Sequence, residues 1–593
     1  MPRPALASLA LGALLLGSAL GAGEDARVDN FALLDHRGRF HELYSESRAA
    51  AVVVFIQGNG CPIARNAVPA LEKLRQEFES RDVTFWMLNA NSQDDRESVA
   101  AEAKQYGFAI PVLIDETQLV AESLGVTRTA EAILIDPKTW RIVYRGPIDD
   151  RLSYETQRPA RDHYLRDALA AHLDGRTVTV PTRDAAGCLI LFEDRDREQH
   201  KRISYSEEIA PLLAARCGSC HRDGGVAPWA MTDYRTVRGW SPMMREMIRI
   251  RRMPPWHADP HFAHFANDIS LSEGEKRTLV HWIEAGAPRG DGEDPLTRAN
   301  TGPPPEWPLG PPDLIVEAPT QEIPATGVVA YRYETVTVPI EGDVWIRGVD
   351  LRPSNARAMH HGIAFLDYPS GRANPRTSGP SFTRGLFAGY VPGSDHYAFP
   401  DDSGYFLPEG STIRFQLHYN TTGRPETDTP RLALYLTRQP VAHELKLGAA
   451  ANFDFEIPPG AEEHEVTAEQ RIDRDIVLYQ LRPHMHYRGK RMRFVAHYPD
   501  GSVETLLSVP SYNFNWQRQY VLDPPKRIPA GTRIVVDAAF DNSAQNPANP
   551  DPDSWVFWGE QSYDEMLFGY FLYRDADAGM AKARASLPTG GEE

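Results

Sequence analysis

Three short stretches in the second half of the chain gather imidazoles: "AMHHGIAF" with His360 and His361, "FQLHYN" with His418, and "RPHMHYRG" with His484 and His486. An extended strand sends residues i and i+2 to the same face, so His484 and His486 would point one way, as two ligands of one ion must. His360 and His361 are adjacent and would face opposite ways on a regular strand. They can share an ion only if the backbone bulges or one ring uses its Nδ1. Taken singly, each stretch is also what the wet face of a sheet carries without any metal. Near the end, "WGEQSYDEMLFGYFLY" adds Met566, whose soft thioether suits Cu(I) and would not be recruited by zinc.

A second chemistry sits at residues 217–221, "CGSCH". Two cysteines three apart can add their thiols to the two vinyl groups of heme, with the adjacent His221 as proximal iron ligand. Half a zinc site would need another cysteine pair to complete it, and the chain has only Cys61, Cys188, Cys217 and Cys220. The sixth iron ligand is expected in "RRMPPWHADP", with Met253 the first choice and His257 its rival. The spacing then predicts a helix in "LSEGEKRTLVHWIEAG": Ser272 and Glu275 make a capping box, Leu279, Trp282 and Ile283 share a face, and Gly286 ends it.

A third chemistry is thiol-based. In "QGNGCPIAR", Cys61 stands at a helix N-terminus with Pro62 in the first turn, where the helix dipole favours thiolate. Cys188, in "AAGCLI", is either its redox partner or unrelated to a lone thiol at Cys61, since spacing alone does not bring the two together.

These residues need several scaffolds. A chain of 593 residues has length for roughly three to five domains. Its 63 basic and 81 acidic residues leave a net charge of -18, which favours solubility and excludes a nucleic-acid partner. Residues 1–23 read as an export signal, with Arg3 before an apolar stretch and small residues at its end, so the expected location is periplasmic or secreted. No later stretch approaches the length of a membrane span. Residues 25–195 alternate apolar runs with amphipathic stretches in an α/β pattern, and residues 200–290 read as short helices. A Pro/Gly-rich linker covers 291–313. Two all-β sandwiches are expected at 314–440 and 441–575, followed by a tail at 576–593.

The histidine stretches and Met566, in this order, resemble the copper type II monooxygenases, the peptidylglycine alpha-hydroxylating and dopamine beta-monooxygenase family. The resemblance implies two jelly-roll-like copper domains and two copper ions. His360, His361 and His418 would hold the electron-transfer copper; His484, His486 and Met566 would hold the copper that meets dioxygen. Arg482 and Tyr570 match positions that hold a substrate carboxylate in the peptide-amidating branch, whereas Phe568 replaces an Asn of that branch. Residues 200–290 resemble a class I cytochrome c. Residues 25–190 resemble the redoxins, a thioredoxin-like group that includes peroxiredoxins, with Gly58 where peroxiredoxins carry Thr and Ala130 where the usual cis-proline stands.

The expectation is an exported dicopper monooxygenase that hydroxylates a C–H bond of a small-molecule or peptide-like organic substrate with dioxygen. Electrons would pass from an external donor through the fused heme c. The alternatives are a copper and heme electron-transfer protein without oxygenase activity, or a thiol peroxidase led by Cys61.

Overall fold

The computed structural model describes residues 27–154, 157–299, 306–372, 374, 385–391, 397–400, 402–439 and 441–576. The export signal expected at 1–23 and nearly all of the tail expected at 576–593 lie outside them. The chain divides into two compact units, one built mainly from Glu42–Arg195 and the other from Asp196 onward.

The first unit is organised by a five-stranded sheet in the order Val112–Ile114, Val83–Asn89, Ala51–Gln57, Ala132–Asp136, Arg141–Gly146. The first three strands run parallel and the last two join antiparallel. The apolar run "AVVVFIQ" is buried at every position, as a central strand covered on both faces must be. It leads into the helix Pro62–Phe78, which buries Ala64, Val68, Leu71, Leu74 and Phe78 along one stripe, with Cys61 as its N-cap residue.

The second unit begins with helices, among them Ala210–Arg216, Tyr234–Arg249 and Glu273–Glu284. The capping box forms as predicted: Ser272 Oγ accepts from Glu275 N at 3.2 Å, and Glu275 Oε2 accepts from Ser272 N at 2.7 Å. Gly286 turns the chain at φ 93° just after the helix. This stretch was expected to fold as a separate all-α domain, but it shares one unit with the β region. Trp256 and Phe265, from residues 256–268, enter the core of the last sandwich and so tie this stretch to the β region.

The β region forms antiparallel sandwiches. In the first, the sheet Arg332–Thr337, Thr412–Tyr419, Met359–Asp367, Leu386–Tyr390 packs against strands that include Val344–Arg352 and Arg431–Thr437, around Ile346, Leu366, Phe415 and Leu434. In the second, the sheet Lys446–Asn452, Leu567–Asp575, Ile476–His484, Tyr520–Ile528 faces the sheet His464–Arg471, Arg533–Phe540, Gly489–His497, Val503–Val509. Leu478, Leu481, Phe494, Val536 and Phe571 fill the space between them. Because His443–Glu444 pairs with Ser403–Gly404, the first sandwich runs slightly past residue 440.

Candidate metal and redox centres

The strand Met359–Asp367 pairs with Thr412–Tyr419, but the register slips between Met359 and His361, making His360 the extra residue of a bulge opposite His418. The slip lets adjacent histidines converge. One nitrogen from each of His360, His361 and His418 lies within 4.8 Å of the others, and all three side chains are buried. His360 Nδ1 and His361 Nδ1 face each other at 3.3 Å. His418 Nδ1 is buried with no hydrogen-bond partner among the described residues, an orphan that a cation in the triangle would satisfy. Burial lowers the basicity of all three, His418 to about 4 and His361 well below its ordinary value, so the rings are neutral, the form that ligates. The set therefore fits a metal ion.

His484 and His486 lie 5.3 Å apart, ring to ring. His484 Nδ1 donates to Gln517 Oε1 at 2.6 Å and His486 Nδ1 to the Asp564 carbonyl at 3.2 Å, which leaves each Nε2 as the ligand atom. In the ladder between their strand and Leu567–Asp575, His484 stands opposite Phe568. The ladder ends at that pair, and the buried Met566 stands just before the strand Leu567–Asp575, its N–H bonded to Glu565 Oε2 at 3.3 Å. Glu565 fixes this turn by accepting backbone N–H bonds from His486 at 2.8 Å and Arg488 at 2.6 Å; burial pushes its carboxyl up to about 8.

Phe514 joins the two sets. Its ring stacks on His360 at 4.8 Å and meets His486 edge-on at 5.8 Å, so one benzene ring separates them. Tyr331 closes another side, 4.7 Å from His418 and 5.4 Å from His361. Sequence reasoning missed Gln517, Phe514, Tyr331 and Glu565. Only Glu565, next to Met566, lay inside a quoted motif.

Arg482 and Tyr570 are cross-strand partners two residues from His484, and the Tyr570 ring is 6.3 Å from the His484 ring. Both line a cavity of about 1010 Å3, whose walls also include Leu351, Phe387, Leu447 and Arg518. Among the described residues no carboxylate pairs with Arg482. Cys220 and Trp229 form another part of the same wall.

The "CGSCH" turn follows directly on the helix Ala210–Arg216, with His221 N–H donating to the Cys217 carbonyl at 2.9 Å. His221 Nδ1 donates to the Trp229 carbonyl at 3.0 Å, orienting the ring and leaving Nε2 to bind iron. Gly225 packs so closely that a Cβ there would lie 2.2 Å from the Cys220 carbonyl oxygen. Two free thiols and an oriented imidazole fit covalent heme. Met253, the first-choice sixth ligand, bonds through its N–H to the Met247 carbonyl at 3.2 Å. Its rival His257 is held by burial down to about 4.

In the first unit, Cys61 Sγ and Cys188 Sγ are 2.9 Å apart. Thr129 bridges them: its hydroxyl oxygen accepts from Cys188 N at 2.9 Å and lies 3.0 Å from Cys61 Sγ. A Cβ on Gly58 would stand 2.4 Å from Asn91 Nδ2 and 2.8 Å from the Thr129 methyl, so Thr129 packs where a larger residue at 58 would stand. Ala130, at the usual proline position, has φ 61°.

Residues 25–151 match the AhpC/TSA family. The front module is a thioredoxin-like redoxin. Among curated relatives, the thiol-disulfide oxidoreductase ResA of Halalkalibacterium halodurans is 31% identical over 115 residues, 19% of this chain and 62% of the relative. The DBH-like monooxygenase protein 2 of Mus musculus is 24% identical over 244 residues, 37% of this chain and 38% of the relative. The chain thus spans less than two thirds of either. Among solved structures, a hypothetical protein of Sinorhizobium meliloti 1021 is 29% identical, covering 28% of this chain and 92% of its own, with a TM-score of 0.26. The peroxidoxin BcpB of Mycobacterium tuberculosis is 20% identical, covering 26% and 96%, with a TM-score of 0.21. Among the described residues no helix is long and apolar enough to cross a membrane.

Proposed function

We propose that the chain is an exported copper-dependent monooxygenase that hydroxylates a C–H bond of an organic anion, with electrons supplied through a heme c held by Cys217, Cys220 and His221. The observation that carries this reading is the pair of adjoining donor sets. Three buried imidazoles with an orphaned nitrogen on His418 lie one benzene ring from a His-x-His pair whose backbone is tied through Glu565 to the turn that carries the Met566 thioether. The likeness to a monooxygenase-named relative supports it from outside the geometry.

Copper at the two sets would supply two one-electron equivalents and a place for dioxygen, the thioether favouring Cu(I) beside His484 and His486. The chain's own residues do the rest. Gln517 and the Asp564 carbonyl hold the two imidazoles with Nε2 forward. Arg482 takes the substrate carboxylate in a two-pronged bond, with Tyr570 beside it. Leu351, Phe387 and Leu447 give the cavity apolar walls that exclude water from the organic part. An electron-transfer protein without a substrate would need neither the cavity nor a guanidinium that no carboxylate pairs with among the described residues. Partners are dioxygen, a carboxylate-bearing small molecule or peptide, and an external donor to the heme.

The test is metal analysis of the reconstituted full chain together with oxygen uptake against carboxylate-bearing and neutral substrates, with product masses recorded. Two coppers, one heme and a product heavier by one oxygen atom are expected. Zinc in place of copper, or a single copper per chain with all five histidines intact, overturns the reading.

A further inference from the structure

The cavity beside Arg482 has three walls, all within the second unit. The first is a sheet face: Gln480 and Arg482 stand opposite Leu572 and Tyr570, and His484 follows two residues on along the same face. The second comes from the first sandwich, with Leu351, Phe387 and Tyr390. The third is the segment 222–230 that follows "CGSCH", together with Cys220. The helical region is fastened to the sandwich at the rim, where Asn267 donates to the Gln519 carbonyl at 2.8 Å, and both residues line the cavity.

The segment 222–230 folds back on the residues that would carry heme. Ala227 N–H donates to the Cys220 carbonyl at 3.2 Å, and Met231 N–H to the His221 carbonyl at 2.8 Å. Trp229 faces both ways. Its carbonyl accepts from His221 Nδ1 at 3.0 Å, its ring meets the imidazole edge-on at 4.8 Å, and it lines the cavity. A molecule pressed against this wall therefore acts on the bond that orients His221, and such a bond tunes how an imidazole donates to its metal.

Size and charge say what that molecule is. At about 1010 Å3 the cavity stands at the upper end of the roughly 300–1,000 Å3 that hold drug-sized ligands, far more than a two-carbon acid fills. Its walls carry, among the described residues, five arginines against two aspartates, which favours an anion. Val226, Pro228 and Trp229 give the third wall an apolar stretch.

We propose that the substrate is an extended carboxylate, clamped by Arg482 at one end and packed by its apolar body against Trp229, so that its binding is felt at the heme ligand His221. This rests on the carboxylate role of Arg482 and on heme at Cys217, Cys220 and His221, as given above. A short carboxylate satisfies Arg482 without reaching the third wall. By linkage, a ligand that shifts the oxidation equilibrium of the heme must itself bind ferric and ferrous protein with different affinity. Trp229 is then a positioning residue that links substrate occupancy to electron delivery.

The test uses the full chain carrying covalent heme and no copper, with 4-phenylbutyrate and acetate as probes. Calorimetry reports binding, and the heme absorption bands report the response. 4-Phenylbutyrate should bind, shift the bands with the same Kd, and show ferric and ferrous affinities that differ about fivefold or more. Acetate at saturating concentration should leave the bands where they are. Arg482→Gln should weaken the calorimetric and the spectral titration of 4-phenylbutyrate in parallel. Trp229→Leu keeps the carbonyl that orients His221 and removes the indole, so it should bind 4-phenylbutyrate with the bands unmoved; should that variant fail to take up heme, the wild-type contrast between the two probes still decides. 4-Phenylbutyrate bound to wild type without a band shift overturns this inference alone, and so does an equal shift with acetate. A chain that binds neither probe, or that matures without covalent heme, overturns it together with the reading on which it rests.

Discussion

Imidazoles alone choose poorly among copper, zinc and nickel, whereas a thioether discriminates, which puts the weight of the metal assignment on Met566. Met566→Leu keeps the apolar volume and removes only the sulfur. It should leave copper on His360, His361 and His418, weaken or empty the neighbouring set, and lower oxygenation by orders of magnitude; copper per chain and oxygen uptake read the two effects separately. A variant that retains full activity would move the oxygen site elsewhere. Arg482 is tested by substrate class. Charge-assisted hydrogen bonds contribute about 1.5–3 kcal/mol, roughly ten- to a hundredfold in affinity. Arg482→Gln should therefore raise KM for carboxylate-bearing substrates by that factor and leave neutral ones unchanged, whereas an equal rise for both would mean that Arg482 only braces the wall.

At the scale of elements, the donor sets depend on how strands are placed. Gly569 pairs with Pro483, between the histidine strand and the Met566 turn, and a Cβ there would lie 2.4 Å from Val536 Cγ2 and 2.8 Å from Phe494 Cε1. Gly569→Ala must push the strand Leu567–Asp575 off the core, at an overpacking cost of about 1–3 kcal/mol. The expected result is a lower melting temperature together with loss of copper from the His484, His486 and Met566 set but not from the other, checked by calorimetry and metal analysis. Periodicity made the strands, the helix Glu273–Glu284 and the α/β front module legible in the sequence, because each depends on residues within a few positions of one another. The need for a bulge or Nδ1 ligation at His360 and His361 was legible too, and the structure has the bulge and brings two Nδ1 atoms together. What could not be read was long-range: Phe514 sits 154 positions from His360, Thr129 is 68 from Cys61, and neither residue type signals a site. The same holds for Trp256 and Phe265, whose partner Tyr520 is more than 250 residues away.

That last contact bears on the whole second unit. Asn267 clamps the edge of the strand Tyr520–Ile528, donating to the Gln519 carbonyl at 2.8 Å and accepting from Val521 N at 3.0 Å. Ala266 N–H donates to the Val521 carbonyl and Asp523 N–H to that of His264. The residues just after Met253 are therefore part of the sandwich that carries His484 and His486, and the short segment after Phe514 includes Gln517, which holds His484. A heme bound at "CGSCH" would thus be coupled to the copper sets by packed structure rather than by a swinging tether, and electron delivery should be intramolecular. In stopped-flow experiments on the reduced, fully loaded chain, heme reoxidation by dioxygen should proceed at a rate independent of protein concentration and should accelerate when a hydroxylatable substrate is present, because each turnover opens an acceptor. His361→Ala removes one donor of the three-histidine set without touching the heme residues or Met566, and should abolish that acceleration, leaving slow autoxidation. If wild type and His361→Ala give coincident traces with and without substrate, the heme serves another partner and the coppers take their electrons from an external reductant.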